Sequence, residues 1–200
     1  MENCLKNKVV IVTGSSSGIG EAIAVELVSQ GAKVAIIGRR EHKLKLVAAR
    51  CELVGKKTLA IRADVTKDDD RRMIIKRTIK HFGKLNVLVN CAGVAKFISI
   101  LSNEAIEMFD EALSINLRSI VHLVHLSASY LIASKGSINN IGSVGGIAPI
   151  ASEKFSYCIS KAALHHFTKC LALELASKNV RVNLIAPGPV RTYTRFKPTT

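Results

Sequence analysis

Tryptophan is missing from this 200-residue sequence, tyrosine occurs three times, and acidic side chains number 15 against 29 lysines and arginines. With so few large aromatics there is little on which bases could stack, and no nucleic-acid-binding motif is visible. The formal charge of +14 therefore does not read as a specific nucleic-acid surface. The excess is also spread out, with 18 basic residues against 9 acidic over 1–90 and 11 against 6 over 91–200. Clusters such as RREHKLK and RRMIIKRTIK read as solvated helix faces. No apolar run approaches the ~20 residues that a membrane-spanning helix needs. MENCLKNK has no signal-peptide core before VVIVTG. Cysteine is sparse and odd in number: Cys4, Cys51, Cys91, Cys158 and Cys170 form no CxxC pair, which fits a reducing compartment and leaves no zinc site. His165 and His166 are adjacent, not four apart, so they do not share a helix face to grip a metal. These absences lead us to expect a soluble cytoplasmic protein with no membrane, metal or specific nucleic-acid partner.

What is present is ordinary for a globular domain, with 48% hydrophobic and 22% charged residues, and the length suits one domain over 1–200. Short β-branched runs alternate with amphipathic stretches. KVVIVTG (8–14) is a continuous apolar run, as expected of a strand buried on both faces. GIGEAIAVELVSQG follows, with Ile19, Ile23 and Leu27 as its expected buried stripe and Gly31 as its stop. AKVAIIG is a second strand, then a helix whose Leu44, Val47, Ala48, Cys51 and Val54 fall at helical spacing. KTLAIRAD is a third strand, and DDDRRMIIKRTIKHFG a helix with acids in its first turn, where the helix dipole favours them. LNVLVNCAG, a helical region from 103 to about 134, GSINNIGS, a helix from about 153 to 177 and VRVNLIAPG complete the series. Six strands alternating with helices predict an α/β fold, a doubly wound Rossmann-type parallel sheet with helices on both faces. Its ligand crevice should lie at the carboxyl ends of the strands.

Two stretches stand out chemically. TGSSSGIG (13–20) joins the first strand to the first helix. Its Gly14, Gly18 and Gly20 allow a tight turn and let a diphosphate approach the backbone N–H groups. In YCISK, Tyr157 and Lys161 lie four apart, so a phenol and an ammonium share one helix face. That pair reads either as a surface contact or as an acid/base unit in which the cation favours the phenolate.

TGSSSGIG, NCAG, Asn116, Ser143, YCISK and APGPVRT, in this order, resemble the short-chain dehydrogenases/reductases, and most of all the 3-oxoacyl-carrier-protein-reductase-like group. The resemblance runs from the first strand to about Thr192. It implies an NAD(P)(H)-dependent oxidoreductase that interconverts a small-molecule carbonyl and a secondary alcohol. Tyr157 would be the acid/base and Lys161 its cationic neighbour and ribose ligand. Ser143 would bond the substrate oxygen, and Asn116 would hold a water linking Lys161 to bulk solvent. A free Tyr titrates near ~10, so work near neutrality asks for an environment that favours the phenolate.

The same resemblance implies a cofactor site of Gly14, Ser16, Ser17, Gly18, Ile19 and Gly20 in the turn, with Arg39 after the second strand. Asp64 and Val65 follow the third strand, with Asp64 accepting from the adenine amino group. Asn90, Ala92 and Gly93 follow the fourth, with Cys91 standing where the family usually has a second Asn. Tyr157, Lys161, Pro187, Gly188, Val190 and Thr192 complete the set. The second strand ends in IIGRR with no carboxylate for a ribose 2′-hydroxyl, and Arg39 suits a 2′-phosphate, which favours NADP(H) over NAD(H). The family usually continues past the PG motif into a substrate-covering segment and a seventh strand, which are not in this sequence. A second reading follows, a catalytically weak or inactive nucleotide-binding or partner-binding remnant, and the family's homo-oligomer becomes doubtful for so short a chain.

Overall fold

The structure, a computed structural model, describes residues 5–192; Cys4 lies outside them. Strand β1 (Val9–Thr13) leads into helix α1 (Gly18–Ser29), then β2 (Lys33–Gly38), α2 (Glu41–Val54), β3 (Leu59–Arg62), α3 (Asp68–Phe82) and β4 (Val87–Asn90). Helices α4 (Ala105–Leu113) and α5 (Ser119–Ala133) precede β5 (Ser137–Ile141), α6 (Phe155–Ala176) and β6 (Arg181–Ile185). All strand pairs are parallel, and the sheet order is β3-β2-β1-β4-β5-β6. The order reverses between β1 and β4, where a ligand crevice opens at the carboxyl ends.

The continuous apolar run of β1 has a plain cause. Val9 and Ile11 enter one core with side chains of α3, α5 and α6, while Val10 and Val12 enter a second core with α1 and α2. Both faces of the strand are covered, so neither can be polar. Strand β6 is different: it lies at the sheet edge among the described residues and alternates, with Arg181, Asn183 and Ile185 exposed and Val182 and Leu184 turned toward the core. In α3 the acidic first turn is as expected, Asp68 to Asp70, and Gly83 ends the helix in the left-handed conformation.

Three sequence expectations are corrected. The buried stripe of α1 is Gly20, Ala24 and Val28, not Ile19, Ile23 and Leu27, which are half-buried. The helix start lies so close to the turn that a Cβ on Gly20 would stand 2.5 Å from the Gly14 carbonyl oxygen, so the packed face is the one with small residues. In α2, Leu44, Val47 and Cys51 are buried as expected, but Ala48 is half-buried and Val54, the last helical residue, is exposed. The region 103–134 is helical but not uniformly so, because a π-helical turn at Ser114–Arg118 interrupts it between α4 and α5. Such turns often mark functional positions, and this one contains Asn116.

A buried polar chain crosses the sheet near the carboxyl ends of β4 and β5. Asn90 Nδ2 donates to Asn140 Oδ1 at 2.8 Å, Asn140 Nδ2 donates to Thr168 Oγ1 at 2.9 Å, and the Thr168 hydroxyl donates to the Leu164 carbonyl at 2.7 Å. It ties β4 and β5 to α6, and truncating its centre strands polar atoms on both sides. Asn140→Ala is therefore expected to lower stability by about 2–3 kcal/mol, read as an earlier urea midpoint with an unchanged slope. A loss below half a kcal/mol would show that the chain is not structural.

Candidate active site

The Gly-rich turn is braced from both sides. The Thr13 hydroxyl accepts from the Cys91 and Ala92 N–H groups at 3.0 and 3.1 Å. The Ser15 hydroxyl donates to the Val12 carbonyl and accepts from the Ile37 N–H at 2.8 Å. Gly14 has φ +68°, and a Cβ there would lie 2.7 Å from the Ala92 Cα, so both conformation and space require glycine. Ser17 precedes α1 without capping it; its hydroxyl accepts from Arg40 at 3.0 Å. The first α1 amides are thus free of a side-chain cap, as an anion at a helix start requires. Thr192 closes over the turn, with its Cγ2 3.3 Å from where a Gly18 Cβ would be, and the Pro187 carbonyl accepts from the Val144 N–H at 3.1 Å. The PG segment therefore returns to the Gly-rich turn. Val65 is buried in the core beneath the β3 end, and Gly188 and Val190 are exposed on the PG segment.

Beyond the second strand lies a cleft of about 390 Å³ lined by Arg39, Arg62, Ala63, Asp64, Lys67 and Asp70. Gly38 pairs with Arg62 in the β2–β3 register, so Arg62 stands beside the end of β2. A Cβ on Gly38 would come within 2.9 Å of the Ser16 Cβ, which leaves little room for an aspartate there. Asp64 Oδ1 accepts from the Thr66 N–H at 3.0 Å and from its hydroxyl at 2.9 Å, while Asp70 Oδ2 accepts from the Asp64 N–H. Burial pushes the Asp64 carboxyl up, but the two Thr66 bonds, with Arg39 and Lys67 nearby, outweigh it and hold the pKa below its ordinary value.

At the other end of the crevice the four expected catalytic residues come from three places: the π turn, the end of β5 and helix α6. Ser143 follows β5; its Oγ accepts from the Gly145 N–H at 3.0 Å, which leaves the hydroxyl proton free to be donated to a ligand oxygen. Tyr157 lies in the first turn of α6, half-buried. Lys161, one turn on, is buried; its Nζ donates to the Ile141 carbonyl at 2.7 Å and stands 5.9 Å from the centre of the Tyr157 ring. Asn116 in the π turn is fully buried, accepts from the Val94 N–H at 2.9 Å, and donates to the Val94 carbonyl and to Ser160 Oγ. A Cβ on Gly93 would lie 3.2 Å from Asn116 Oδ1 and 3.6 Å from Lys161 Nζ, so NCAG reaches these two residues. Burial pushes the Lys161 ammonium down to about 8, against a small opposing pull from Cys91. The Cys91 thiol is itself raised by burial to about 11, with Lys161 opposing.

Residues 8–198 match the family model described as short chain dehydrogenase. The chain belongs to this family. An uncharacterized oxidoreductase of Staphylococcus epidermidis is 37% identical over 189 residues, covering 94% of this chain and 80% of that protein. Human dehydrogenase/reductase SDR family member 2, mitochondrial, is 34% identical over 188 residues, covering 94% and 67%. The crystal structure of a Caenorhabditis elegans short-chain dehydrogenase/reductase of unknown function with cofactor superposes with TM-score 0.87 at 36% identity, covering 94% and 72%. As a short-chain dehydrogenase the chain is an NAD(P)-dependent oxidoreductase acting on small molecules, and its six-stranded parallel sheet matches those of its structural neighbours.

Within this dehydrogenase the expected residues do not all present side chains to the crevice. Asn90 is 1% exposed and its side chain is turned into the polar chain with Asn140, not into the crevice. The Asn116 side chain is engaged with Val94 and Ser160, which makes it a brace. Sequence reasoning missed Thr13 and Ser15, the Ile141 carbonyl on Lys161, and Arg62 and Lys67 in the basic cleft. Polar residues closing an apolar strand were the available signal for the first two. Arg62 could be found only through the β2–β3 register. No described helix is long and apolar enough to cross a membrane, and no group of His, Cys, Asp or Glu among the described residues is placed to hold a metal.

The buried ammonium has a stability consequence. Lys161 has a folded-state pKa near 8, below its ordinary 10.5. Between these values the unfolded chain binds more protons than the folded one, so stability rises with pH across that window; below it, the full cost of burying the charge is present. Lys161→Met should thus stabilise the cofactor-free protein at pH 7 by about 1–2 kcal/mol, the burial cost less the lost bond to Ile141. That advantage should vanish by about pH 10. Urea unfolding of both proteins across this range checks it, and a pH-independent difference would remove burial as the cause.

Proposed function

We propose that this short-chain dehydrogenase interconverts a carbonyl compound and a secondary alcohol with NADP(H), using Tyr157 as acid/base. The observation that carries the reading is the placing of Lys161: a buried ammonium, on the helix face of Tyr157, anchored to the end of the strand that delivers Ser143. The turn at Gly14 fits a dinucleotide, since its backbone approach to Ala92 and the uncapped start of α1 leave the amides that a diphosphate needs. When bound, the nicotinamide cofactor supplies or accepts the hydride. The chain's own part is to orient and to move a proton. Ser143 donates its hydroxyl to the substrate oxygen, and Tyr157 gives a proton to that oxygen in reduction and takes it back in oxidation. Lys161 favours the phenolate by its charge, and its remaining N–H donors suit ribose hydroxyls. A water relay at Asn116 would have to use its main chain, since the side chain is occupied with Val94 and Ser160.

The preference for NADP(H) rests on the basic cleft. Arg39, Arg62 and Lys67 face the adenosine end, the two acids there are held by backbone and Thr66, and the Gly38–Ser16 contact leaves little space for the carboxylate that would bond a 2′-hydroxyl. The motif series supports affiliation with the 3-oxoacyl-carrier-protein-reductase-like group. The free cysteines Cys51, Cys91, Cys158 and Cys170 support a reducing, cytoplasmic setting.

Two measurements test this reading. Tyr157→Phe removes one hydroxyl, so turnover of carbonyl substrates should disappear while the NADPH Kd stays nearly unchanged; retained turnover would take the proton from another group. Arg39→Ala should weaken NADPH binding by about 1.5–3 kcal/mol and leave NADH almost untouched. Equal losses for both cofactors in a fluorescence titration would reduce Arg39 to a contributor to the general field.

A further inference from the structure

Six of the sixteen large apolar side chains that remain exposed among the described residues lie on the two loops that follow β4 and β5. Val144, Ile147 and Ile150, which stand 36%, 72% and 42% exposed, follow Ser143 in the connection from β5 to α6. Phe97, Ile100 and Leu101, at 49%, 64% and 90%, lie on the connection from β4 to α4. Ile150 folds back toward the catalytic hydroxyl: its Cδ1 lies 3.1 Å, and Ser143 Oγ 3.4 Å, from the point that a Gly145 Cβ would occupy. The two loops are clasped together. The Ile98 N–H donates to the Glu153 carbonyl at 2.6 Å, and the Lys154 ammonium stands 4.1 Å from the centre of the Phe97 ring. Lys154 also accepts, through its carbonyl, from the Cys158 N–H in the first turn of α6, the turn that carries Tyr157. The clasp therefore fixes an apolar wall against the acid/base residues.

The cations on these loops are already engaged. Lys96 and Lys154 are the only cations between residues 91 and 104 and between 142 and 154. Lys96 pairs with Glu111, and Lys154 sits over Phe97. An anionic substrate group would find no ready partner there, while a hydrocarbon would cover side chains that otherwise face water. We infer that the substrate is an uncharged, apolar ketone or secondary alcohol whose hydrocarbon part lies between Phe97 and Ile150, with its oxygen at Ser143. This rests on the oxidoreductase reading above and narrows it, because a carboxylate would find no ready partner at the wall and a short acetoacetyl thioester offers it little hydrocarbon.

The test compares NADPH oxidation with three substrates: a phenyl-substituted vicinal diketone, the same diketone bearing a ring carboxylate, and an acetoacetyl thioester. The neutral diketone should exceed the other two in kcat/KM by about tenfold or more, mainly through KM. Phe97→Ala and Ile150→Lys, both at half-exposed positions, should leave the NADPH Kd unchanged. Each should lower kcat/KM for the neutral diketone by about tenfold, and Ile150→Lys should shift preference toward the carboxylate. Equal or better turnover of the carboxylate or the thioester by the unaltered protein overturns the inference and leaves the oxidoreductase reading standing. An unaltered protein that binds NADPH yet reduces none of the three overturns both.

Discussion

At the seam between β1 and β4 one hydroxyl holds two consecutive amides, those of Cys91 and Ala92, while the Gly14 backbone presses against Ala92 from the other side. Everything at the crevice depends on that contact. It fixes the distance between the Gly-rich turn and the NCAG segment, and through Gly93 it fixes NCAG relative to Asn116 and Lys161. A side chain at residue 14 or a longer hydroxyl arm at residue 13 would open the seam and displace both ends of the site together. The parallel sheet supplies the reversal of order that makes a crevice; the Thr13 clasp sets its width.

Lys161 shows what such a site costs. An ammonium buried at the end of a helix face, with a single carbonyl bond to Ile141, is unfavourable for the cofactor-free fold, and its lowered pKa measures that. Two large apolar cores offset it, and Asn116 bonded to Ser160 braces the neighbouring π turn. Local conflict inside a globally consistent fold is the pattern of a functional site. On the proposed reading the same charge that destabilises the free protein favours the Tyr157 phenolate when chemistry requires it.

Much of this was legible in the sequence, and the exceptions have physical causes. β1 could be read because both of its faces are covered, so its apolar run has no polar interruption. The α1 stripe was misread because hydrophobicity points to Ile19, Ile23 and Leu27, whereas close approach to the turn selects the smallest side chains, Gly20, Ala24 and Val28. The π turn left no mark in the periodicity, since one extra residue in a turn is invisible in an apolar helix. The roles proposed for Ser143, Tyr157 and Lys161 come from their order along the chain, but the direction of the Asn90 side chain could not be read, because nothing local to NCAG reveals its bond to Asn140, fifty residues away.

The charge of the chain takes on a meaning that composition alone did not give. An excess of +14 first suggests a polyanion, and the shortage of aromatics argues against a nucleic acid. In the fold, Arg39, Arg62 and Lys67 gather with Asp64 and Asp70 in the cleft beyond β2, whereas the cations on the loops after β4 and β5 are engaged and the side chains beside Ser143 are largely apolar. On the proposed reading, these cations draw in a phosphate-bearing dinucleotide and raise its encounter rate, an effect that salt diminishes. An apolar wall at the other end gives no such attraction to an anion and favours a neutral partner by contact alone. On that reading the two ends of one crevice separate a polyanionic ligand from an uncharged one by physics that acts at different ranges, electrostatic at a distance and hydrophobic at contact.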